Sequence, residues 1–165
     1  MEQSLESTIN EIFSDKNIII RKATYDDWKI IEKWDNEYTE YEKNLAHKMI
    51  KDMVKNPKVR GKNKILNYIE YMKIIEYNDN IIGMFRLKPI MAADMALGSF
   101  TAFFIDEKYR NMGIGRYVLD FVKEFSRREK YIAIVLSVNP NNKRSIEIYE
   151  KSGFFISSHQ MIYKL

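Results

Sequence analysis

The chain has 165 residues, with 27 Lys or Arg against 23 Asp or Glu, which gives a formal net charge of +4. This length favours one domain large enough to bury a core, and 45% hydrophobic residues exclude a disordered protein. The absence of cysteine excludes disulfides, thiolate metal sites and a cysteine nucleophile, while the mild positive charge suits an anionic ligand without requiring nucleic acid.

The N-terminal "MEQSLESTINEIFSDKN" carries acidic residues and has no long apolar core, so it does not match a signal peptide. The longest apolar runs, such as "IAIVL" at 132–136, are far shorter than the roughly 20 residues of a membrane span. We therefore expect a cytoplasmic protein that does not associate with a membrane. No metal is expected, because His47 and His159 are far apart in sequence.

The first half of the chain predicts, in order, a strand over 17–24, a helix from near Thr24 or Asp26, a second helix over 41–55 and a basic loop over 56–67. Trp28, Ile31 and Trp34 recur at helical spacing, so we expect them on one face of the first helix. The second helix is expected to end before Pro57.

The second half predicts a hairpin over 68–90, a strand over 96–105, an amphipathic helix from Ile114 to Phe125, a strand over 131–138, a short helix within 139–154 and two short strands around 157–160. The run at 131–138 is continuously apolar, which is typical of a strand buried on both faces. A helical crossover between two strands makes them parallel. We therefore expect an α/β fold with a mixed, mostly antiparallel sheet and helices on both faces.

A pair of glycines, Gly113 and Gly115, stands where the helix after strand 96–105 should begin. Neither the Walker pattern nor the dinucleotide pattern G-x-G-x-x-G fits, but Arg110 and the two glycines match R/Q-x-x-G-x-G/A. A helix N-terminus has unpaired N–H groups that attract an anion, and Arg110 or Arg116 can add charge-assisted bonds. An ordinary strand-to-helix turn is the alternative interpretation of the glycines.

Two stretches in order, "FFIDEKYRNMGIGRYVLDFV" and "LSVNPNNKRSIEIYEKSGFF", resemble the pyrophosphate-binding motif and the N-x-x-[AS]-x-x-x-Y-x-K-x-G-F motif of the GCN5-related N-acetyltransferases, the GNAT superfamily. The resemblance implies one N-acetyltransferase domain over 1–165, with 1–16 as an N-terminal helical extension and 99–154 as the acetyl-CoA-binding half. It also implies the acyl-CoA N-acyltransferase fold, in which a central parallel strand pair splays apart, here near Ile105 and Ser137.

By the same resemblance, the enzyme transfers an acetyl group from acetyl-CoA directly to an amine, and it needs no metal. The implied cofactor-binding residues are Phe103, Phe104, Ile105, Arg110, Asn111, Met112, Gly113, Ile114, Gly115, Arg116, Asn142 and Tyr149. Tyr149 is the implied general acid, with a pKa near 10 that matches a leaving thiolate, and core packing is its alternative role. Asn142 is expected to cap its helix, bind pantetheine, or do both, and Lys151 is expected at the surface.

The general base is not identified by the motifs. Some relatives carry a glutamate early in the strand before the glycine turn, but Ser99 occupies that position here. Asp94, Glu37, Glu40 or a water chain near Ser137 are the substitutes considered, and His159 is expected to be a solvated residue. Tyr38 and Tyr41 lie where such folds build the acceptor wall, although helix packing explains them equally well.

Three functions remain open from the sequence. The leading one is N-acetyltransfer to a small-molecule or peptide amine by a monomer or homodimer. A non-catalytic acyl-CoA-binding module or sensor is the second, because the cofactor half is intact while the base is unassigned. The third is a nucleotide- or RNA-binding protein that uses the basic segment 58–64, although a solvated loop is the preferred interpretation of that segment and no nucleic acid is expected.

Overall fold

A computed structural model describes residues 5–12, 17–53 and 61–161. Its helices are α1 (Leu5–Ile12), α2 (Trp28–Leu45), α3 (Lys48–Met53), α4 (Lys62–Leu66), α5 (Ile114–Arg128) and α6 (Lys143–Lys151). Its strands are β1 (Ile18–Lys22), β2 (Met72–Tyr77), β3 (Asn80–Ala92), β4 (Met95–Ile105) and β5 (Ala133–Val135). Within the described part of the chain, no helix is both long and apolar enough to cross a membrane.

The five strands form one sheet in the order β1-β2-β3-β4-β5. The first three pairings are antiparallel, and β4 pairs with β5 in parallel. This confirms the predicted mixed α/β fold with one parallel strand pair. The pair was expected near the centre of the sheet, but among the described residues β5 is an edge strand.

One face of the sheet is covered by α1 and α5. The stripe predicted for α5 is confirmed, because Val118, Phe121 and Val122 have no exposed surface and pack with Phe85 of β3. At the β1 edge, the Asn10 side chain of α1 donates from Nδ2 to the carbonyl oxygen of Ile20 and accepts from its N–H through Oδ1, at 2.6 and 3.2 Å. These contacts satisfy an edge strand that would otherwise present unpaired groups.

The opposite face is covered by α2 and α4. Ile31 and Trp34 of α2 are buried against Ile74 and Met84 of the sheet, and Trp28 packs at the margin of this second core. The predicted apolar face of the first helix is therefore confirmed, and so are helices on both sides of the sheet.

A β-bulge interrupts β4. Thr101 pairs with Arg86 and Phe104 with Met84, so one residue of β3 faces two residues of β4, and Ala102 has a left-handed φ of 52°. Side chains alternate between faces in a regular strand, so residues three apart would point to opposite sides. The extra residue instead lets Phe100 and Phe103 both lie on the α5 side, with their ring centroids 5.3 Å apart.

The helical boundaries of the first half differ from the sequence prediction. The first helix does not give way to a second one near Tyr41, because α2 continues to Leu45 and α3 follows after a short break. The predicted loop over 56–67 contains α4, whose Ile65 is fully buried against the second core. Burial of one apolar side chain thus stabilises a helical turn in a basic segment. The predicted helix end at 54–55 and the loop start at 56–60 lie outside the described residues.

The C-terminal expectations were wrong in two respects. The strand predicted over 131–138 spans only Ala133–Val135 and is not buried on both faces, since Ile132 is 61% exposed. Its partner within the described residues is β4 alone. The strands expected around 157–160 are not formed over 154–161, and residues 162–165 lie outside the described part.

Candidate active site

A cleft opens where β4 and β5 part. The two strands pair at Leu97, Gly98 and Ser99 of β4, and no described strand pairs with the β5-facing edge of β4 beyond Ser99. The resulting space has a volume of about 350 Å³. Its walls come from α2, β4, the turn before α5, the segment after β5, and α6, and its lining residues include Ser137 and Val138. The divergence expected between the ends of these strands is therefore present.

The glycine turn forms one end of this cleft. Gly113 precedes the first residue of α5 and has a φ of 79°, a left-handed conformation in which glycine has no steric penalty. Asn111 also has a positive φ, of 66°. Within the described residues, the N–H groups of Met112 to Arg116 make no hydrogen bond to the protein. Five consecutive donors are thus available beside a helix N-terminus, where the dipole favours an anion.

Two arginines lie at this end of the cleft. Arg110 donates from Nε to the carbonyl oxygen of Ile105 at 2.8 Å, which holds the turn against β4 and leaves its terminal nitrogens for other partners. Arg144 of α6 donates to Oδ1 of Asn111 at 2.7 Å and also lines the cleft. Arg144 was missed from the sequence. Arg116 is exposed and, unlike Arg110, lies outside the cleft lining.

The other expected cofactor residues are divided between cleft and core. Phe103, Phe104 and Ile105 line the cleft with Gly115. A Cβ placed on Gly115 would lie 3.9 Å from the nearest side-chain carbons, so the protein itself leaves room for one. The Met112 side chain is half exposed, whereas the Ile114 side chain is buried in the α5 core. Neither residue is among those that line the cleft, and nor is Gly113.

Tyr149 lines the cleft from α6 and packs its ring against Phe154, with the centroids 5.8 Å apart. The packing expected as its alternative role is therefore present, and the general-acid role stays a prediction. Its hydroxyl makes no hydrogen bond to the described residues. Burial raises the pKa of Tyr149 well above 10, and the nearby Tyr38 and Glu42 add to this rise. The hydroxyl stays protonated at neutral pH, and its match to a leaving thiolate is poorer than the sequence argument assumed.

The opposite wall is the acidic face of α2. Glu37, Tyr38, Tyr41 and Glu42 line the cleft at positions one helical turn apart. The Tyr41 hydroxyl donates to Oδ1 of Asn142 at 3.4 Å, which ties α2 to the start of α6. Burial raises the pKa of Tyr38 to about 12, and the charge of Glu42 contributes. Tyr38 and Tyr41 are thus part of the cleft wall.

Asn142 links the two sides of the cleft. It is buried, and its Oδ1 accepts from the N–H of Ser145 at 3.2 Å, so it caps α6 as expected. Burial raises the pKa of the nearby Glu42 carboxyl above its ordinary value, and the Asn142 side chain opposes this rise. Lys151 lies at the surface, paired with Glu147 at 2.5 Å.

The structure separates the proposed bases. Asp94 occupies the turn before β4, seven residues and about 20 Å of strand from Thr101 in the cleft. Glu40 is outside the lining and lies 3.7 Å from Lys43, and His159 is exposed in the C-terminal segment. Ser99 is in the paired part of β4, outside the lining. Glu37 remains in the cleft, and Glu42, which the sequence analysis missed, joins it.

Among the described residues, no cluster of three His, Asp or Glu side chains is placed to hold a metal ion. The cleft instead combines a cationic end, at the glycine turn, with an acidic wall on α2. This arrangement is suited to group transfer between two bound molecules.

A family model described as "Acetyltransferase (GNAT) family" matches residues 28–154. The chain therefore belongs to the GNAT family of acetyltransferases, and the resemblance inferred from the two motifs is confirmed. The match includes the β4–β5 divergence, the glycine turn and α6, which define the cleft. A search among curated protein sequences found no match.

Solved structures share the fold. A possible acetyltransferase from Clostridium difficile 630 is 15% identical, with a TM-score of 0.67 and coverage of 91% of this chain and 99% of that one. A predicted acetyltransferase with acetyl-CoA from Clostridium acetobutylicum is 17% identical, with a TM-score of 0.63 and coverage of 89% and 96%. An aminoglycoside acetyltransferase from an uncultured soil metagenomic sample, in complex with trehalose, is 12% identical, with a TM-score of 0.68 and coverage of 92% and 98%. At these identities the similarity shows the fold.

Proposed function

We propose that the protein is an acetyl-CoA-dependent N-acetyltransferase that transfers the acetyl group directly to an amine. The observation that carries this proposal is the run of five unbonded N–H groups, from Met112 to Arg116, at the end of a cleft whose strand edge is unpaired among the described residues. A structural neighbour solved with acetyl-CoA, and another named as an aminoglycoside acetyltransferase, support the cofactor and an amine acceptor.

The glycine turn would bind the diphosphate of acetyl-CoA. The unbonded N–H groups and the positive end of the α5 dipole would attract the anion. Arg110 and Arg144 add positive charge at the same end of the cleft. Both arginines are already held by hydrogen bonds, to Ile105 and Asn111 respectively, so little side-chain entropy is lost on binding. This preorganisation favours a diphosphate over a smaller, singly charged ligand.

The unpaired edge of β4 would bind the pantetheine arm. The main chain of Phe103, Phe104 and Ile105 lies along the cleft, where an extended ligand with amide groups can pair as an added strand. One N–H of this segment can also polarise the thioester carbonyl. A donor of this kind contributes about 3 kcal/mol to transition-state stabilisation.

Tyr149 would donate a hydrogen bond to the leaving sulfur. Because its pKa lies well above 10, the hydroxyl carries its proton throughout the neutral range. A thiol has a pKa of about 8.5, so complete transfer from this tyrosine is uphill, and stabilisation of the thiolate by hydrogen bonding is the larger contribution. The role requires the hydroxyl to be free of protein partners, as it is within the described residues.

The test is release of free thiol from acetyl-CoA in the presence of a panel of amines, with Tyr149→Phe as the variant. We expect the variant to lose at least about 10-fold in kcat, because one hydrogen bond to a charged group contributes about 1.5 to 3 kcal/mol. Its dissociation constant for acetyl-CoA, measured by calorimetry, should change by less than about twofold. The hydroxyl acts on the leaving group rather than on the bound cofactor, so binding and turnover separate.

Tyr131→Phe is the matched control. Tyr131 is also half-buried with a pKa raised by burial, but it lies outside the cleft lining. Equal rates in both variants would remove Tyr149 from the mechanism. Tight binding of acetyl-CoA without thiol release for any amine would instead support a non-catalytic binding module and reject the enzymatic proposal.

A further inference from the structure

The outer end of the β3–β4 hairpin presents a sheet face beside the cleft. On the α2 side of the sheet, Arg86 donates from Nε to Oγ1 of its partner Thr101 at 2.9 Å, and its guanidinium carbon lies 5.0 Å from the centre of the Tyr68 ring, at the margin of the second core. Strand side chains alternate between the two faces. Beyond the Arg86–Thr101 pair, this side therefore carries eight residues that we call the open face: Lys88, Ile90, Ala92, Met95, Leu97, Ser99, Ala133 and Val135.

The open face is apolar and incompletely covered. Six of its eight side chains are apolar, and none of the eight belongs to either buried core of the described residues. Met95 is 46% exposed and Val135 is 38% exposed. Lys88 is the one charged residue in this set, and its Nζ lies 5.5 Å from the centre of the Tyr71 ring. Contiguous apolar surface that is exposed in this way often marks a binding site.

The open face is continuous with the cleft. Thr101 lines the cleft, and Ser99 lies two residues earlier on the same side of β4. Ser137, which also lines the cleft, lies two residues after Val135. A ligand in the cleft can therefore extend along β4 from Thr101 to Met95, a length of about 20 Å, while it stays on one side of the sheet.

The direction of β4 relates this face to the thioester of the proposed cofactor. The glycine turn follows the C-terminal end of β4. An acetyl-CoA with its diphosphate at that turn and its arm paired along Phe103, Phe104 and Ile105 would have its acyl group towards Thr101. An amine that attacks the thioester from the open-face side would then have the rest of its atoms over the apolar part of β4.

We propose, on the basis of the acetyltransferase function above, that the acceptor is a primary amine with an extended apolar body, and that the open face binds this body. An acceptor with several ammonium groups would place charges against six apolar side chains and near the like charge of Lys88. An apolar body instead removes these side chains from water, which is favourable in proportion to the area buried. Met95, Leu97 and Val135 are specificity-determining residues in this proposal, and they take no part in the chemistry.

The first measurement varies the acceptor. Butylamine, hexylamine and octylamine share one amino group and differ in chain length, whereas 1,4-diaminobutane carries a second charge. A methylene that is half buried on a sheet face corresponds to about a twofold gain in affinity. We therefore expect kcat/KM, measured by thiol release from acetyl-CoA, to rise at least about tenfold from butylamine to octylamine and to be lowest for 1,4-diaminobutane. A rate that is constant or falls along the alkyl series would overturn the proposal.

The second measurement compares two double variants. Met95→Gln/Val135→Thr replaces apolar atoms of the open face by polar atoms at exposed positions, with little change in size. Met91→Gln/Ile132→Thr is the matched control, because Met91 is 69% exposed, Ile132 is 61% exposed, and the alternation of side chains places both on the α5 side. The test variant should lose at least about fivefold with octylamine and less than about twofold with butylamine. Equal rates with octylamine in the two variants would remove the open face from acceptor binding.

A binding measurement distinguishes this inference from the proposed function. Octylamine should bind at least about tenfold more tightly than butylamine to the chain saturated with coenzyme A, which cannot donate an acetyl group. Equal affinities for the two amines contradict the open-face assignment even if wild type is an active acetyltransferase. Tighter binding of octylamine without thiol release from any amine would support the open face and reject the enzymatic proposal.

A second copy of the chain is the other occupant that such a face could have. Sedimentation of wild type and of Met95→Gln/Val135→Thr tests this occupant. We expect the two proteins to have the same mass in solution, because the face is assigned to the acceptor. A wild-type dimer that becomes a monomer in the variant, with an unchanged preference for octylamine, would assign the face to subunit contact and overturn the proposal.

Discussion

Replacement of Gly113 by Asp tests the glycine turn most directly. The residue stands at the start of α5 with a φ of 79°, and a Cβ placed there would meet no atom within 4 Å. The aspartate therefore fits without a clash, and Asp tolerates the left-handed region better than most residues. The main consequence is a negative charge placed beside the N–H groups that we assign to the diphosphate.

The expected loss follows from Coulomb's law. Two unit charges 4 Å apart repel by about 1 kcal/mol in water and by about 4 kcal/mol at the effective dielectric constant of a protein surface. Gly113 is exposed, so the lower half of this range applies to each phosphate charge. With two charges on the diphosphate, we expect acetyl-CoA to bind at least about 30-fold more weakly. The effect should decrease as salt is added, because exposed charges are screened.

Gly153→Asp supplies the matched control. Gly153 also has a positive φ, of 90°, and a Cβ at this position would likewise meet no atom within 4 Å, but the residue follows α6 and is not part of the turn before α5. Both variants add the same charge and a similar backbone cost. Calorimetric titration with acetyl-CoA should therefore show weak binding for Gly113→Asp and near-native binding for Gly153→Asp. Equal affinities in the two variants would refute the phosphate assignment.

Two further predictions concern stability. Asp27→Asn should cost about 1 to 3 kcal/mol at pH 7, because buried Asp27 accepts from Arg21 at 2.8 and 2.9 Å and Arg21 holds its pKa below the usual range. That stabilisation is present above the ordinary Asp pKa and is lost as pH falls. The difference in unfolding free energy between wild type and Asp27→Asn should therefore disappear below about pH 4. A difference that persists at lower pH would contradict the argument. Gly115→Ala should raise Tm by about 2 to 4 °C, because alanine favours the helix by about 1 kcal/mol relative to glycine. The added methyl group would lie 3.9 Å from the side chains of Ile105 and Phe103, so it should cause no clash. A lower Tm would show that the site is crowded.

Features fixed by adjacent residues were predictable from the sequence. The turn at Gly113 and the apolar stripe of α5 are examples, since a left-handed residue favours glycine and a buried helix face repeats every three to four residues. The face formed by Trp28, Ile31 and Trp34 follows from the same periodicity. In each case the information lies within a few positions of the element that it specifies.

Features that depend on distant partners were not predictable in this way. Glu42 reaches the cleft because α2 lies beside the start of α6, and the Tyr41–Asn142 hydrogen bond joins positions 101 residues apart. Helical spacing places Glu42 one turn after Tyr38 on the same face of α2. The residues of α2 do not reveal that this face lies against α6. The prediction of a strand over 131–138 that is buried on both faces was wrong for a related reason. An apolar run does not reveal how many strands or helices will pack against it.

The bulge in β4 connects the core to the cleft. Phe100 and Phe103 both pack on the α5 side, and this arrangement requires one extra residue between them, which Ala102 provides at a φ of 52°. A non-glycine residue in this conformation costs about 1 to 2 kcal/mol, a cost that the buried aromatic contacts can offset. A bulge also increases the local twist of a strand, and β4 stops pairing with β5 just before it, after Ser99. Packing of aromatic side chains in the core therefore explains why an edge suitable for a ligand opens at this point of the sheet.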